Sequence, residues 1–85
     1  MMHLLLFTAS TCPKCTIVKN FMQQQRIQPE VVSADKNRVL ADRFQVFSVP
    51  TTILLTDDKT EIARSTGVNP NELLNMFQQF QGGTI

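Results

Sequence analysis

Tryptophan and tyrosine are both absent from this 85-residue chain, so its six phenylalanines are the only large aromatic side chains. Recognition through the usual Trp and Tyr anchors is excluded, and a contact surface has to be built from Phe, Met, Pro and backbone groups; the surface around the cysteines described below is expected to be apolar. Cysteine is scarce too, with Cys12 and Cys15 the only pair. Two cysteines so close in sequence cannot staple a small secreted domain, because closing so short a loop removes little chain entropy. There is no basic block. Lys14, Lys19, Arg26, Lys36, Arg38, Arg43, Lys59 and Arg64 are scattered against an almost equal number of acids, giving a formal net charge of +1, and this argues against a nucleic-acid partner. Long apolar runs are missing as well. Leu4 to Phe7 is too short for a membrane span or a signal-peptide core, and no basic segment precedes it; no membrane association and a cytoplasmic location are the expectations.

What is present is ordinary globular composition, 42% hydrophobic and 18% charged, well away from disordered chains. Two cores would leave each half too small to bury enough apolar surface. One domain over residues 1–85, folding alone as a monomer, is expected.

Elements follow from the pattern. His3 to Ala9 carries Leu-Leu-Leu-Phe without alternation, as in a strand covered on both faces. From Cys12, the residues Cys15, Val18 and Met22 share one face of an amphipathic helix ending near Arg26. Glu30 to Ser33 reads as a second strand, parallel to the first through the helical crossover. Asp35 to Asn37 can cap a short helix carrying Leu40 and Phe44. Thr51 to Leu55 and Thr60 to Ser65 form a hairpin around Asp57-Asp58-Lys59. Asn69-Pro70 starts a last helix with Glu72 as a capping-box acid, burying Leu73, Leu74, Phe77 and Phe80 and ending at Gly82-Gly83 before a short tail. Met22 and Met76 are expected to fill the core. The order β-α-β-α-β-β-α predicts a three-layer α/β/α fold around a four-stranded mixed sheet.

Thiol-disulfide exchange requires one exposed, partly ionised thiol and a second thiol able to attack the mixed disulfide. Cys-Pro-Lys-Cys in a first helical turn supplies both. Cys12 falls at the helix N-terminus, where free N–H groups and the macrodipole favour a thiolate, and is the expected nucleophile. Cys15, one turn in beside Val18 and Met22, is the expected shielded, resolving thiol. Pro13 suits the first turn, and Lys14 adds a positive charge that favours the thiolate. The competing reading of an isolated Cys-x-x-Cys is half of a zinc or iron–sulfur site, which needs two more ligands. No third cysteine exists and His3 is the one histidine, so no metal is expected. Asp35 and Glu61 have no evident partner and no assigned role.

A second element is Ser48-Val49-Pro50-Thr51, with proline where a buried strand wants an N–H. A cis Val49-Pro50 bond is expected, turning the Val49 backbone toward an extended substrate beside Cys12; a strand-initiating trans proline is the alternative.

Leu6-Phe7-Thr8-Ala9 before the cysteines, Phe44 to Thr51 in the middle and Gly67 before the last helix together resemble the thioredoxin and glutaredoxin superfamily, over nearly the whole chain. The resemblance implies a thioredoxin-like fold, with Cys12 attacking and Cys15 resolving. It also implies Thr11, Val49, Pro50 and Gly67 as substrate contacts. The chain departs from thioredoxins in having Thr11 and Pro13 where a Trp and a Gly flank the first cysteine, and Leu6 where larger members bury an Asp. It departs from glutaredoxins in Gly67-Val68-Asn69, which stands in place of Gly-Gly and an acid, and in Ala9, where many carry Lys. The type resembles small, glutaredoxin-sized thioredoxins.

The resemblance therefore implies a protein disulfide oxidoreductase without bound cofactor, recharged by a flavin-dependent thioredoxin-reductase-like donor or another thiol. Alternatives are a glutathione-dependent glutaredoxin, a dedicated electron donor for ribonucleotide reductase, or a redox-sensing or metal-binding module without catalysis.

Overall fold

A computed structural model describes residues 2–82 of the chain. Along it run β1 (His3–Thr8), α1 (Pro13–Gln24), β2 (Glu30–Ser33), α2 (Arg38–Arg43), β3 (Thr51–Leu55), β4 (Glu61–Thr66) and α3 (Pro70–Gly82). The sheet order is β2-β1-β3-β4. β2 is parallel to β1, as a helical crossover dictates, while β1 pairs antiparallel with β3, and β3 with β4. The expected α/β order and mixed sheet hold.

β1 lacks alternation because both its faces are covered. Leu4 and Leu6 pack with Val18 and Met22 of α1, Leu73, Met76 and Phe77 of α3, and Leu54 of β3. Leu5 and Phe7 point the other way, into a smaller cluster with Ala41 of α2, Val46, Ile53 and Leu55. Two helices thus guard one face and a six-residue helix the other. At the sheet's edges burial falls off, leaving Val31 and Ile62 exposed.

α1 starts with Pro13 after the Cys12 N-cap and ends at Gln24, two residues before the expected end near Arg26. Arg26 adopts the left-handed region with φ 58°, its N–H bonding to the Gln23 carbonyl and the Ile27 N–H to the Met22 carbonyl. This is the Schellman arrangement, with buried Ile27 and Met22 as its apolar contact. α2 closes the same way through Gln45, φ 54°.

α3 corrects two expectations. Its buried face is Leu73, Met76 and Phe77, with Phe80 half-buried; Leu74, one position off that stripe, is 38% exposed. Glu72 does not close a capping box. Its carboxylate accepts from the Ser65 hydroxyl (2.9 Å), and the Asn69 amide donates back to the Thr66 carbonyl (2.7 Å). The tail expected beyond Gly82 lies outside the described residues. Among those residues no helix is long and apolar enough to cross a membrane.

Candidate active site

β1 delivers the chain into Ala9-Ser10-Thr11, and Cys12 caps α1 in extended conformation (φ −149°, ψ 90°). The Cys12 carbonyl accepts from the Cys15 N–H (3.1 Å) and the Thr16 N–H (3.4 Å). Its Sγ also accepts from the Cys15 N–H, at 3.1 Å. The sulfur therefore occupies the place a capping oxygen takes at other helix starts, sharing the Cys15 N–H with the Cys12 carbonyl. Cys12 and Cys15 are joined as a disulfide with Cα atoms 5.2 Å apart. The two residues are unequal: Cys12 is half-buried, while Cys15 is 3% exposed beside Val18 and Met22. Thr11, Pro13 and Lys14 are exposed. A cleft of about 350 Å³, lined by Thr8, Thr11, Cys12 and Cys15 among others, opens over the disulfide.

The second element arrives at the same end of the sheet. The register Phe7↔Thr51, continued by one residue, sets Pro50 against Thr8. The Val49-Pro50 bond is cis, as expected. Pro50 is buried; its carbonyl accepts from the Gly67 N–H at 2.8 Å, and the Thr51 hydroxyl donates to the Ser48 carbonyl at 2.7 Å. Among the described residues nothing hydrogen-bonds to the Val49 backbone. Gly67 needs its lack of Cβ for conformation and not for space, since φ is +83° while nothing lies within 4 Å of a built Cβ. Residues 11–15, 49–50 and 67 thus all lie at the end of the sheet where β1 finishes, while His3 sits at the opposite end of β1, paired with Leu55. Among the described residues no group of three or more His, Cys, Asp or Glu side chains could hold a metal ion.

Sequence reasoning missed what holds this end together. Asp35 accepts from the Ser10 N–H (3.4 Å) and Ser10 hydroxyl (3.0 Å), and also from the Ser33 hydroxyl. The Ser33 and Ser10 hydroxyls hold its carboxyl down at about 2. Next to it the Ala34 N–H donates to the Thr8 carbonyl at 2.7 Å. Ser33-Ala34-Asp35 is a readable local turn; the partner 25 residues away in Ser10 is not. Glu61 also has a partner. Arg64 donates to it through Nε and Nη2, both at 2.8 Å, and reaches the Phe44 and Gln45 carbonyls, tying β4 to the end of α2. These bonds hold the Glu61 carboxyl below its usual range.

Comparisons with known proteins agree with this geometry. A glutaredoxin family model matches residues 4–53. The SPbeta prophage-derived thioredoxin-like protein YosR of Bacillus subtilis is 38% identical over 80 residues, covering 94% of this chain and all of that protein. Thioredoxin-2 of a malaria parasite, described as a component of its protein secretion machinery, superposes with TM-score 0.72 at 34% identity, over 93% of this chain and 82% of its own. Malassezia sympodialis thioredoxin superposes with TM-score 0.79 at 16% identity, over 92% and 73%, a likeness of fold.

Proposed function

The chain belongs to the glutaredoxin family of thioredoxin-like proteins, and from that premise we propose that it reduces protein disulfides by dithiol exchange through Cys12 and Cys15. Family membership and the Cys12–Cys15 disulfide support thiol-disulfide oxidoreductase activity in general. The reading of substrate and roles rests chiefly on one observation: the accessible sulfur caps a helix and accepts an N–H, while its partner is buried.

In the reduced protein the Cys12 thiolate attacks one sulfur of a substrate disulfide. A mixed disulfide forms and the other substrate sulfur leaves as a thiolate. Helix N–H groups and the dipole favour the thiolate before attack, and Lys14 adds a positive charge nearby. Cys15, deprotonated in turn, attacks the Cys12 sulfur, expels the second substrate thiol and leaves the Cys12–Cys15 disulfide. The unpaired Val49 backbone, framed by Thr11, Pro50 and Gly67, offers an extended substrate a strand-like edge.

Two electrons return from a thioredoxin-reductase-like donor in a reducing cytoplasm. Gly67 followed by Val68, and Ala9 at the cysteine loop, leave few fixed polar groups for the tripeptide glutathione and favour protein substrates. The test compares insulin-disulfide reduction driven by NADPH and thioredoxin reductase with that driven by glutathione. Reductase-driven turnover is expected to dominate; turnover with glutathione alone would contradict the choice of donor.

A further inference from the structure

A regular strand cannot present Glu61 and Arg64 to each other, because residues three apart on it point to opposite faces. β4 departs from that alternation. Leu54 of β3 pairs with Ala63 while Leu55 pairs with Glu61, so Ile62 is an extra residue on the β4 side. This bulge brings Glu61, opposite Leu55, onto the same face as Arg64, opposite Ile53. It is the face carrying α2, since Ile53 and Leu55 share a cluster with Ala41. There Glu61 holds the guanidinium through two bonds of 2.8 Å, from Nε and from Nη2, a bidentate geometry that fixes its plane.

The fixed fork meets a helix that cannot hold itself. α2 has six residues, too few to be stable without outside contacts. Its start is secured locally, where the Ser33 carbonyl accepts from the Lys36 and Asn37 N–H groups at 3.2 and 2.8 Å. Its far end is secured by Arg64, which donates to the Gln45 carbonyl (3.2 Å) and to the Phe44 carbonyl, past the point where the helix supplies N–H partners. From there the chain runs through Val49 into Pro50. The Pro50 carbonyl accepts from the N–H of Gly67, the residue that follows β4, at 2.8 Å. β4 thus braces the stretch from Phe44 to Pro50 at both ends, and the unpaired Val49 backbone lies between the two braces.

We propose, building on the dithiol-exchange reading above and its use of Val49, that Arg64, held by Glu61, is a positioning residue for polypeptide substrates. It touches no reacting atom. It acts through the end of α2, keeping the stretch from Val46 to Val49 in the conformation that pairs with an extended chain. A polypeptide binds those molecules whose edge is in place, so its apparent affinity scales with their fraction. Cys12 takes its surroundings from α1 and the cysteine loop. Attack on a disulfide too small to use the Val49 edge therefore proceeds without this brace.

The test mixes pre-reduced protein with an excess of a peptide carrying one internal disulfide and, separately, with dithiobis(nitrobenzoate). The readouts are the half-saturating peptide concentration, the limiting rate, and the rate on the small disulfide. Arg64→Leu should raise the half-saturating concentration about tenfold, while the limiting rate and the small-disulfide rate stay within about twofold. Glu61→Gln, which keeps the shape but loses the charge-assisted fork, should raise it about threefold. Arg64→Lys, with the charge but no fork, should fall between the intact protein and Arg64→Leu. Met76→Ala opens a cavity on the opposite face of the sheet and destabilises the fold, yet should leave the half-saturating concentration unchanged. An unchanged value in folded Arg64→Leu overturns the brace, as does an equal rise in Met76→Ala or full recovery in Arg64→Lys. Should Arg64→Leu fail to fold, an unchanged value in Glu61→Gln overturns it instead. Intact reduced protein that consumes neither disulfide overturns the dithiol-exchange reading and the brace with it.

Discussion

Asp35 and Asp58 sit at opposite ends of the sheet and do the same local chemistry to different effect. Asp58, in the turn between β3 and β4, accepts from the Thr56 hydroxyl and the Thr60 N–H, both within two residues. Asp35 accepts from Ser33, two residues back, and also from Ser10, 25 residues away. Hydroxyl donors hold both carboxyls below their usual range. At the hairpin end these bonds only close a turn. At the disulfide end, segments from four parts of the chain have to meet, and the ties Ser10–Asp35, Ala34–Thr8 and Gly67–Pro50 join them. An end that must hold a sulfur at a helix start against the first residues of a strand needs long-range bonds; a hairpin turn does not.

The largest test of this contrast is chemical. Cys12→Ser should lower insulin-disulfide turnover by at least about a thousandfold, as loss of an attacking group does, whereas Asp58→Asn should leave it unchanged within about twofold. Backbone conformation separates the ends next. Gly67→Ala forces a side chain onto φ +83° and should destabilise by about 1–2 kcal/mol in urea unfolding; a neutral result would mean the β4–α3 turn relaxes freely. Asp35→Asn, which keeps shape but loses the charge-assisted bonds from Ser10 and Ser33, should slow turnover about three- to tenfold by loosening the cysteine loop. An equal loss in Asp58→Asn would break the comparison.

The pH dependence of Asp35 has a defined sign. Its folded value is about 2 against a usual 3.8, so its contribution is fully present above the usual value and is lost as pH falls toward 2. Urea midpoints of the intact protein and Asp35→Asn should differ at pH 5 and converge near pH 2. The smallest effect belongs to the hairpin end. Lys59 holds φ 66° without being glycine, and Lys59→Gly should change stability by under about 1 kcal/mol, in the stabilising direction.

Much of the fold was legible because its signals are local. The unbroken apolar run Leu4 to Phe7 announced a doubly covered strand, Pro13 after Cys12 a helix start, and Pro50 before a β-branched run the cis turn into β3. What stayed hidden depends on phase or on distance. Leu74 is as apolar as Leu73 but lies one position off the stripe of Leu73, Met76, Phe77 and Phe80, so composition misled where angle decides. Glu72 has the right spacing for a capping box, yet the Ser65 hydroxyl, brought close by β4, takes its carboxylate. Asp35 and Arg64 find partners across the fold that no window of sequence contains.

The central claim is that Cys12 attacks and Cys15 resolves, and it is tested most directly by Cys15→Ser. The reduced variant, mixed with a disulfide-containing protein substrate and analysed by peptide mass mapping without reductant, should accumulate a mixed disulfide at Cys12 that the intact protein does not retain. No adduct at Cys12, or equal trapping through Cys15 in the Cys12→Ser variant, would contradict the assignment of the two sulfurs.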